Sequence, residues 1–372
     1  MGRSRRCVNI LSEFKPADLA ERLARWGYAS SHAGRLLRAF YRSGEWSGAD
    51  EAARLPIGLL ERLHTELTLR ATTLAARQNA ADGTTKLLLR LADGHTVESV
   101  LMPDFRPDRA AGCLSSQVGC AMGCDFCATA QGGFERNLTS GEIVEQFLTL
   151  RSEAKAVGRE LRTLVFMGMG EPLLNLEHLL PAIERIGDNS LGGFGWRQIT
   201  VSTVGVVPGI DALTATGWNL HLAVSIHAPD DLTRSRLLPM GRRYEIEEIL
   251  AAADRFQARQ GRPVILQYCL LADVNDTPEQ ARQLADLVGR RRMHVNLLRY
   301  NPTGLGLRGT AYRTSSDETA ARFAAVLKDR GVIAHFRRSR GPDIDAACGQ
   351  LRHRISRTSR APLTSGPTGA AV

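Results

Sequence analysis

Cys120, Cys124 and Cys127 stand in the stretch Cys-Ala-Met-Gly-Cys-Asp-Phe-Cys. Three thiolates on one short loop can hold three irons of a 4Fe–4S cube, where a fully protein-ligated cluster needs four. The fourth iron is then open to a ligand that is not protein. S-adenosylmethionine (AdoMet) fits it, because its amino and carboxylate groups can chelate a single iron. An electron passed from the cluster cleaves the sulfonium and releases a carbon radical, so the cofactors carry the hard chemistry and the protein aims it. A zinc loop is the alternative. Zinc asks for four ligands in paired spacings, however, and no second pair exists.

Downstream, Leu164-Val-Phe-Met reads as a strand that leads into Gly168-Met-Gly170-Glu171. Glycines let a backbone approach a bound cofactor, and the Glu171 carboxylate can pair with its ammonium group. Alone, a Gly-x-Gly is a weak signal; after a strand and downstream of the cysteine loop it is a strong one. Ser202 and the Ser225-Ile226-His227 segment end later strands, where ribose and carboxylate contacts would fall. A strand-end histidine is ordinarily a satisfied polar group, which is the plainer reading of His227.

These residues need a scaffold. The chain of 372 residues allows roughly two or three domains, and its 43% hydrophobic content supports a packed core. Residues 1–72 read as short amphipathic helices, with Leu19, Leu23 and Trp26, then Leu36, Leu37 and Phe40, then Leu59, Leu60 and Leu63 at helical spacing. Residues 73–106 form a connector whose 86–102 stretch alternates like a hairpin around an Asp93-Gly94 turn. From 107 to 345 strand and helix signals alternate, with strands expected over 112–117, 163–168, 198–203, 220–226, 263–270, 293–299 and 332–338. A capping box, Thr139-x-x-Glu142, opens the helix after the first. Repeated βα units predict an α/β fold with a parallel sheet, here a partial barrel with its chemistry at the carboxyl ends of the strands. Residues 346–357 form a separate C-terminal segment, and the Ser-, Thr-, Pro- and Gly-rich stretch 358–372 reads as a disordered tail.

Composition narrows the class. Seven cysteines, an odd number, do not make a secreted disulfide framework. The charged start lacks the apolar run of a signal peptide, and no apolar stretch is long enough to span a membrane. A cytoplasmic enzyme is expected. Net charge +9, from 48 basic and 39 acidic residues, suggests a polyanionic partner. Clusters at Arg3, Arg5 and Arg6, at Arg290–Arg292, at Arg337, Arg338 and Arg340, and around Arg352–Arg360 favour nucleic acid over merely solvated faces.

The cysteine loop carries the signature of the radical-AdoMet superfamily, and the chain from about residue 20 to 352 resembles the RlmN/Cfr adenine methyltransferases. The resemblance rests on Cys113-Leu-Ser-Ser-Gln-Val-Gly-Cys120, Met167-Gly-Met-Gly-Glu-Pro-Leu-Leu-Asn175 and Asp343-Ile-Asp-Ala-Ala-Cys-Gly-Gln350. Ser225-Ile-His-Ala228 and Val274-Asn-Asp276 add to it. It implies a helical N-terminal RNA-binding domain on a (β/α)6 partial barrel, and methylation of an adenine in 23S rRNA, for some members also in tRNA. It further implies two AdoMet molecules per turnover, an external electron donor such as flavodoxin, a thiol reductant, and a monomer.

C2 of adenine lies between two ring nitrogens and is too electron-poor to attack a sulfonium methyl, so a carbon radical must do the work. In the implied mechanism a first AdoMet methylates Cys348. The radical from a second AdoMet takes hydrogen from that methyl group, and the resulting methylene radical adds to the base. Glu98 removes the ring proton, and Cys113 cuts the protein–RNA link as a disulfide with Cys348. Asn301, in Arg-Tyr-Asn-Pro, matches the adenine-contacting position. The plainer readings are a buried small Cys348 and a solvated strand glutamate at Glu98; Cys7 and Cys269 have no motif and read as structural. The sequence departs from the family at Gln267, where Glu is expected, in the 302–315 loop, and in an insertion after Pro103. These changes are expected to flank the substrate mouth, which leaves a C8-specific or other-RNA paralogue as the alternative to C2. A non-catalytic RNA-binding protein would need neither Cys113 nor Cys348, and a peptide-modifying radical enzyme would not need the basic N-terminal region.

Overall fold

A computed structural model describes residues 9–44, 54–239 and 243–351. Cys7, the arginines at 3–6 and 352–360, and the expected tail lie outside the described residues. Among the described residues the first helices are α1 (Pro16–Arg25), α2 (Ser31–Ser43) and α3 (Ile57–Glu66). Leu19, Leu23, Leu36, Leu37, Phe40, Leu59 and Leu63 turn inward, while Leu60 and Trp26 are only partly covered. Pro56, with no N–H to lose, sits at the mouth of α3, and Gly44 ends α2 at φ +75.

The rest is built on one ten-stranded sheet of order β1-β2-β3-β4-β7-β8-β9-β10-β11-β12. Its first three strands, β1 (Thr72–Asn79), β2 (Thr85–Leu91) and β3 (Thr96–Pro103), form an antiparallel meander. β3 pairs antiparallel with β4 (Arg109–Cys113), so the hairpin continues the barrel sheet instead of linking two separate units. β1 escaped the sequence reading because its apolar pattern is weak: only Thr72 is buried, and the other seven residues are exposed.

From β4 onward every neighbour is parallel: β7 (Glu160–Phe166), β8 (Ile199–Thr203), β9 (His221–Ser225), β10 (Val264–Leu270), β11 (Met293–Arg299) and β12 (Ala334–Arg337). The connecting helices include α5 (Ser140–Ala156), α6 (Leu176–Gly187), α7 (Val207–Ala215), α8 (Asp231–Leu237), α9 (Ile246–Gln260), α10 (Pro278–Val288) and α11 (Asp317–Asp329). Six βα units followed by a seventh strand make the open partial barrel.

The strand expected over 112–117 splits. β4 ends at Cys113, and Gln117–Gly119 forms β5, which pairs with β6 (Phe134–Asn137) in a separate two-stranded ribbon. The break has a reason: residues 114–117 bond instead to the loop after β7, with Ser116 N and Gln117 N both donating to Met169 O. The ribbon brackets the cysteine loop and a short helix, α4 (Ala128–Gln131).

Helix α5 ties the N-terminal helices to the barrel. Its capping box forms as the sequence predicts, with Glu142 N donating to Thr139 Oγ1 and Thr139 N to Glu142 Oε2. One turn along, Glu145 is fully buried and accepts from Ser12 Oγ, Ala71 N, Thr72 N and Thr72 Oγ1 at 2.5–2.7 Å. Glu13 accepts from Gly141 N at the positive end of the same helix.

Candidate active site

The loop 120–127 lies at the carboxyl end of the parallel strands, where a cavity is lined by Cys120, Cys124, Cys127, Phe126 and Met122. Asp125 points the other way and is buried, accepting from Arg308 N at 2.8 Å and Tyr312 Oη at 2.6 Å. Thr303 Oγ1 donates to Phe126 O, and Gln131 to Leu305 O. The divergent 302–315 loop therefore braces the cysteine loop from outside.

The same cavity is lined by Gly170, Glu171, Ser202, Ser225, His227 and Asn301. Glu171 is 2% exposed; its two oxygens accept from Leu173 N and Val204 N, and burial still pushes its carboxyl up to about 7. A neighbouring cation would draw the proton off. The glycines answer first to packing. A Cβ on Gly168 would lie 2.7 Å from Leu114 O, and one on Gly170 (φ +99) 2.5 Å from the Gln117 side chain. Their small size lets the loop lie on residues 114–117, whatever else it admits.

Ile226 is fully buried and does not line the cavity; only its backbone contributes, donating to Gln267 O. His227 sits at φ +55 with Nδ1 accepting from Cys269 N at 3.0 Å, which puts its proton on Nε2. Burial, then the charge of Arg234, lower it to about 3, so it is neutral near pH 7. Asn275 explains the Val274-Asn-Asp276 motif. Its side chain bonds His227 O, Cys269 O and Leu271 N, each at 2.7 Å, joining the ends of β9 and β10.

Cys348 is exposed and lines both this cavity and a smaller one beside it; Cys113, on the last residue of β4, lines the smaller. Burial pushes the Cys113 thiol up to about 12, and the nearby Cys348 adds to the shift. The segment carrying Cys348 is seated on α4, just after the cysteine loop, with Ala128 N donating to Gly349 O and Thr129 Oγ1 to Leu351 O. Glu98 is not a solvated strand glutamate. It is 6% exposed, paired with Lys86 at 3.1 Å, and faces a third cavity shared with Asp343, Asp345 and Gln350. The 343–350 segment thus lines both the cavity of Glu98 and, through Cys348 and Gly349, that of Cys120, Cys124 and Cys127.

Three residues were missed from the sequence. Arg337, counted there with a basic cluster, lines both thiol cavities and reaches Met167 Sδ. Arg234 is 1% exposed and lies near Cys124. Cys269, read as structural, lines the main cavity close to Cys348 and Cys127. No local pattern marks any of them; only the strand order brings them in.

The donor set fits a cluster. Among the described residues no three Cys, His, Asp or Glu converge tightly enough for one ion, whereas a cube takes one thiolate per iron and spreads its ligands. Burial, with repulsion from Cys127, pushes Cys120 up to about 12, and burial, with repulsion from Cys127 and Cys120, pushes Cys124 well above its ordinary value. Thiols so placed give up their protons to a cationic centre.

The radical SAM superfamily pattern matches residues 114–288. An Opitutus terrae protein named "Probable dual-specificity RNA methyltransferase RlmN 1" is 69% identical over 344 residues, 92% of this chain and 96% of its own. A Rhodopirellula baltica protein named "Probable dual-specificity RNA methyltransferase RlmN" is 45% identical over 318 residues, 86% of this chain and 84% of its own. The crystal structure of a radical SAM methyltransferase from Sphaerobacter thermophilus, 42% identical, superposes with a TM-score of 0.87 over 93% of this chain and 99% of that one.

Proposed function

The chain belongs to the RlmN family of radical SAM enzymes, and we propose that it methylates a ring carbon of adenine in RNA, C2 favoured, with 23S rRNA as substrate and tRNA as a second. One observation carries the reading. Cys348 faces the cavity of the three cluster cysteines and also the smaller cavity of Cys113. AdoMet cleavage by itself would need neither thiol.

With a cluster on Cys120, Cys124 and Cys127 and AdoMet beside Glu171, the bound pair supplies a 5′-deoxyadenosyl radical. Cys348, exposed to the cavity, takes a methyl group onto sulfur, loses one hydrogen atom from it, and presents that carbon to the base. This uses two AdoMet molecules per turnover. Glu98, paired with Lys86 at 3.1 Å, takes the ring proton, and the odd electron of the adduct leaves by the one-electron path that supplied the first. Cys113 then attacks the Cys348 sulfur as a thiolate; the carbon–sulfur bond breaks with its electron pair on carbon, that carbon takes up a proton to become the methyl group, and a disulfide remains for an external thiol reductant to reset. Arg337, beside Cys113, favours the thiolate this step needs. Electrons come from a donor such as flavodoxin, and the enzyme works as a cytoplasmic monomer. Among the described residues no helix is long and apolar enough to cross a membrane.

The test is mass spectrometry of adenosines after turnover of the reconstituted protein on 23S rRNA fragments and on tRNA. 2-Methyladenosine is expected. 8-Methyladenosine would move the reading to the C8-specific alternative, and no methylated adenosine in either RNA would sink it.

A further inference from the structure

Gln267 lies on β10 with its side chain in the wall of the main cavity. It is 4% exposed, and neither its Oε1 nor its Nε2 has a hydrogen-bond partner. Its main chain is in order: the residue pairs with Ser225 on β9 and Asn296 on β11, and its carbonyl accepts from Ile226 N and His227 N. Buried amides are nearly always paired, and an orphaned one carries a desolvation cost without return. A group left so in a cavity wall is a contact waiting for its ligand.

We infer that Gln267 binds the ribose of AdoMet through both ends of its amide; this rests on the AdoMet reading above. Both polar atoms are open, so the ligand must donate to Oε1 and accept from Nε2. A carboxylate would serve Nε2 alone and set its charge against Oε1. An ammonium would do the reverse. Two adjacent hydroxyls can each donate and accept, which matches the amide at both ends. Position agrees. Cys269, the next residue on the same face of β10, lies near Cys348 and Cys127, so Gln267 is one step further from the thiols. That suits the nucleoside half of AdoMet better than the half that chelates iron. The hydroxyl of Ser225, in register with Gln267 and also lining the cavity, stands beside the same site.

The experiment uses the full-length reconstituted protein, with equilibrium dialysis of AdoMet and of its 2′,3′-dideoxyribose analogue, and melting curves without either. Gln267→Leu keeps the bulk and removes both polar atoms. AdoMet affinity should fall about tenfold, the size of one to two hydrogen bonds, while the analogue binds variant and wild type alike. Melting without AdoMet should be no lower than wild type, since no bond within the protein is lost. Gln267→Glu keeps the acceptor and should fall between the two. Three results would overturn the assignment: unchanged AdoMet affinity in Gln267→Leu, equal losses for AdoMet and the analogue, or Gln267→Glu binding more weakly than Gln267→Leu. Failure of the wild type itself to bind AdoMet would instead condemn the underlying reading.

Discussion

His227 shows how a single residue here is set by its surroundings. Its Nδ1 is committed to Cys269 N, and burial with Arg234 nearby holds it neutral down to about pH 3. In the unfolded chain it titrates near 6.5. A depressed histidine contributes stability that is whole above 6.5 and is lost as pH falls toward 3, because the unfolded state takes up the proton first. Between pH 7 and pH 5 this residue alone should remove about 2 kcal/mol. Urea midpoints should therefore fall less steeply with acid in His227→Gln than in wild type; parallel slopes would show that His227 is not buried neutral. The strand-end position of His227 was legible in the sequence, and so were the thiols, because C-x3-C-x2-C and the Cys348 motif are local. The neutrality of His227, the Glu98–Lys86 pair and the cavity positions of Arg337 and Cys269 were not, since each depends on which strands become neighbours.

At the scale of elements, helix α5 is the joint of the molecule. Glu145 gathers four donors from the segment before α1 and the start of β1, and Arg185 on α6 donates to Ser12 O from the other side. Glu145→Ala would leave these donors buried without an acceptor, at a cost of about 3 kcal/mol. Amide exchange should quicken first around Ser12, Ala71 and Thr72; uniform quickening across the barrel would refute a local joint. Arg136 is a second clasp, binding Glu142 of the capping box and Asp93 of the β2–β3 turn. Although burial works against it, Asp93 is held at about 2, chiefly by that guanidinium. Its contribution is full above about 4 and is lost as pH falls toward 2, so Arg136→Ala should cost about 1 kcal/mol at pH 7 and less at pH 3. The capping box and the parallel strands could be read from the sequence because their patterns are short and periodic. β1 could not, because an exposed edge strand has no apolar alternation to show, and the β4–β5 break comes from bonds to a loop over 50 residues away.

For the whole molecule, the excess positive charge is a poorer guide than it looks. Several arginines are already paired within the fold: Arg291 with Glu247 and Asp254, Arg255 with Asp211, Arg330 with Asp286. On the N-terminal helices Arg62 is exposed and stacks on Trp26 at 4.9 Å, with Arg22 at 5.4 Å from the same ring. If this face meets RNA, affinity should fall steeply with salt, and Arg62→Gln should reduce the slope of log K against log salt by about one. Filter binding from 50 to 200 mM salt measures it, and an unchanged slope would take Arg62 off the RNA face. Deleting the helices outright would be a poor probe, because Ser12 and Glu13 complete α5. The central claim is that Cys348 carries the carbon and another thiol releases it. The most direct measurement is a denaturing gel of protein after turnover on radiolabelled RNA, comparing wild type, Cys113→Ala, and Cys113→Ala with Cys269→Ala. Cys269 is included because it too lies near Cys348. RNA should be covalently held through Cys348 in both variants and not in wild type. Normal methylated RNA with no cross-link in the double variant would contradict it.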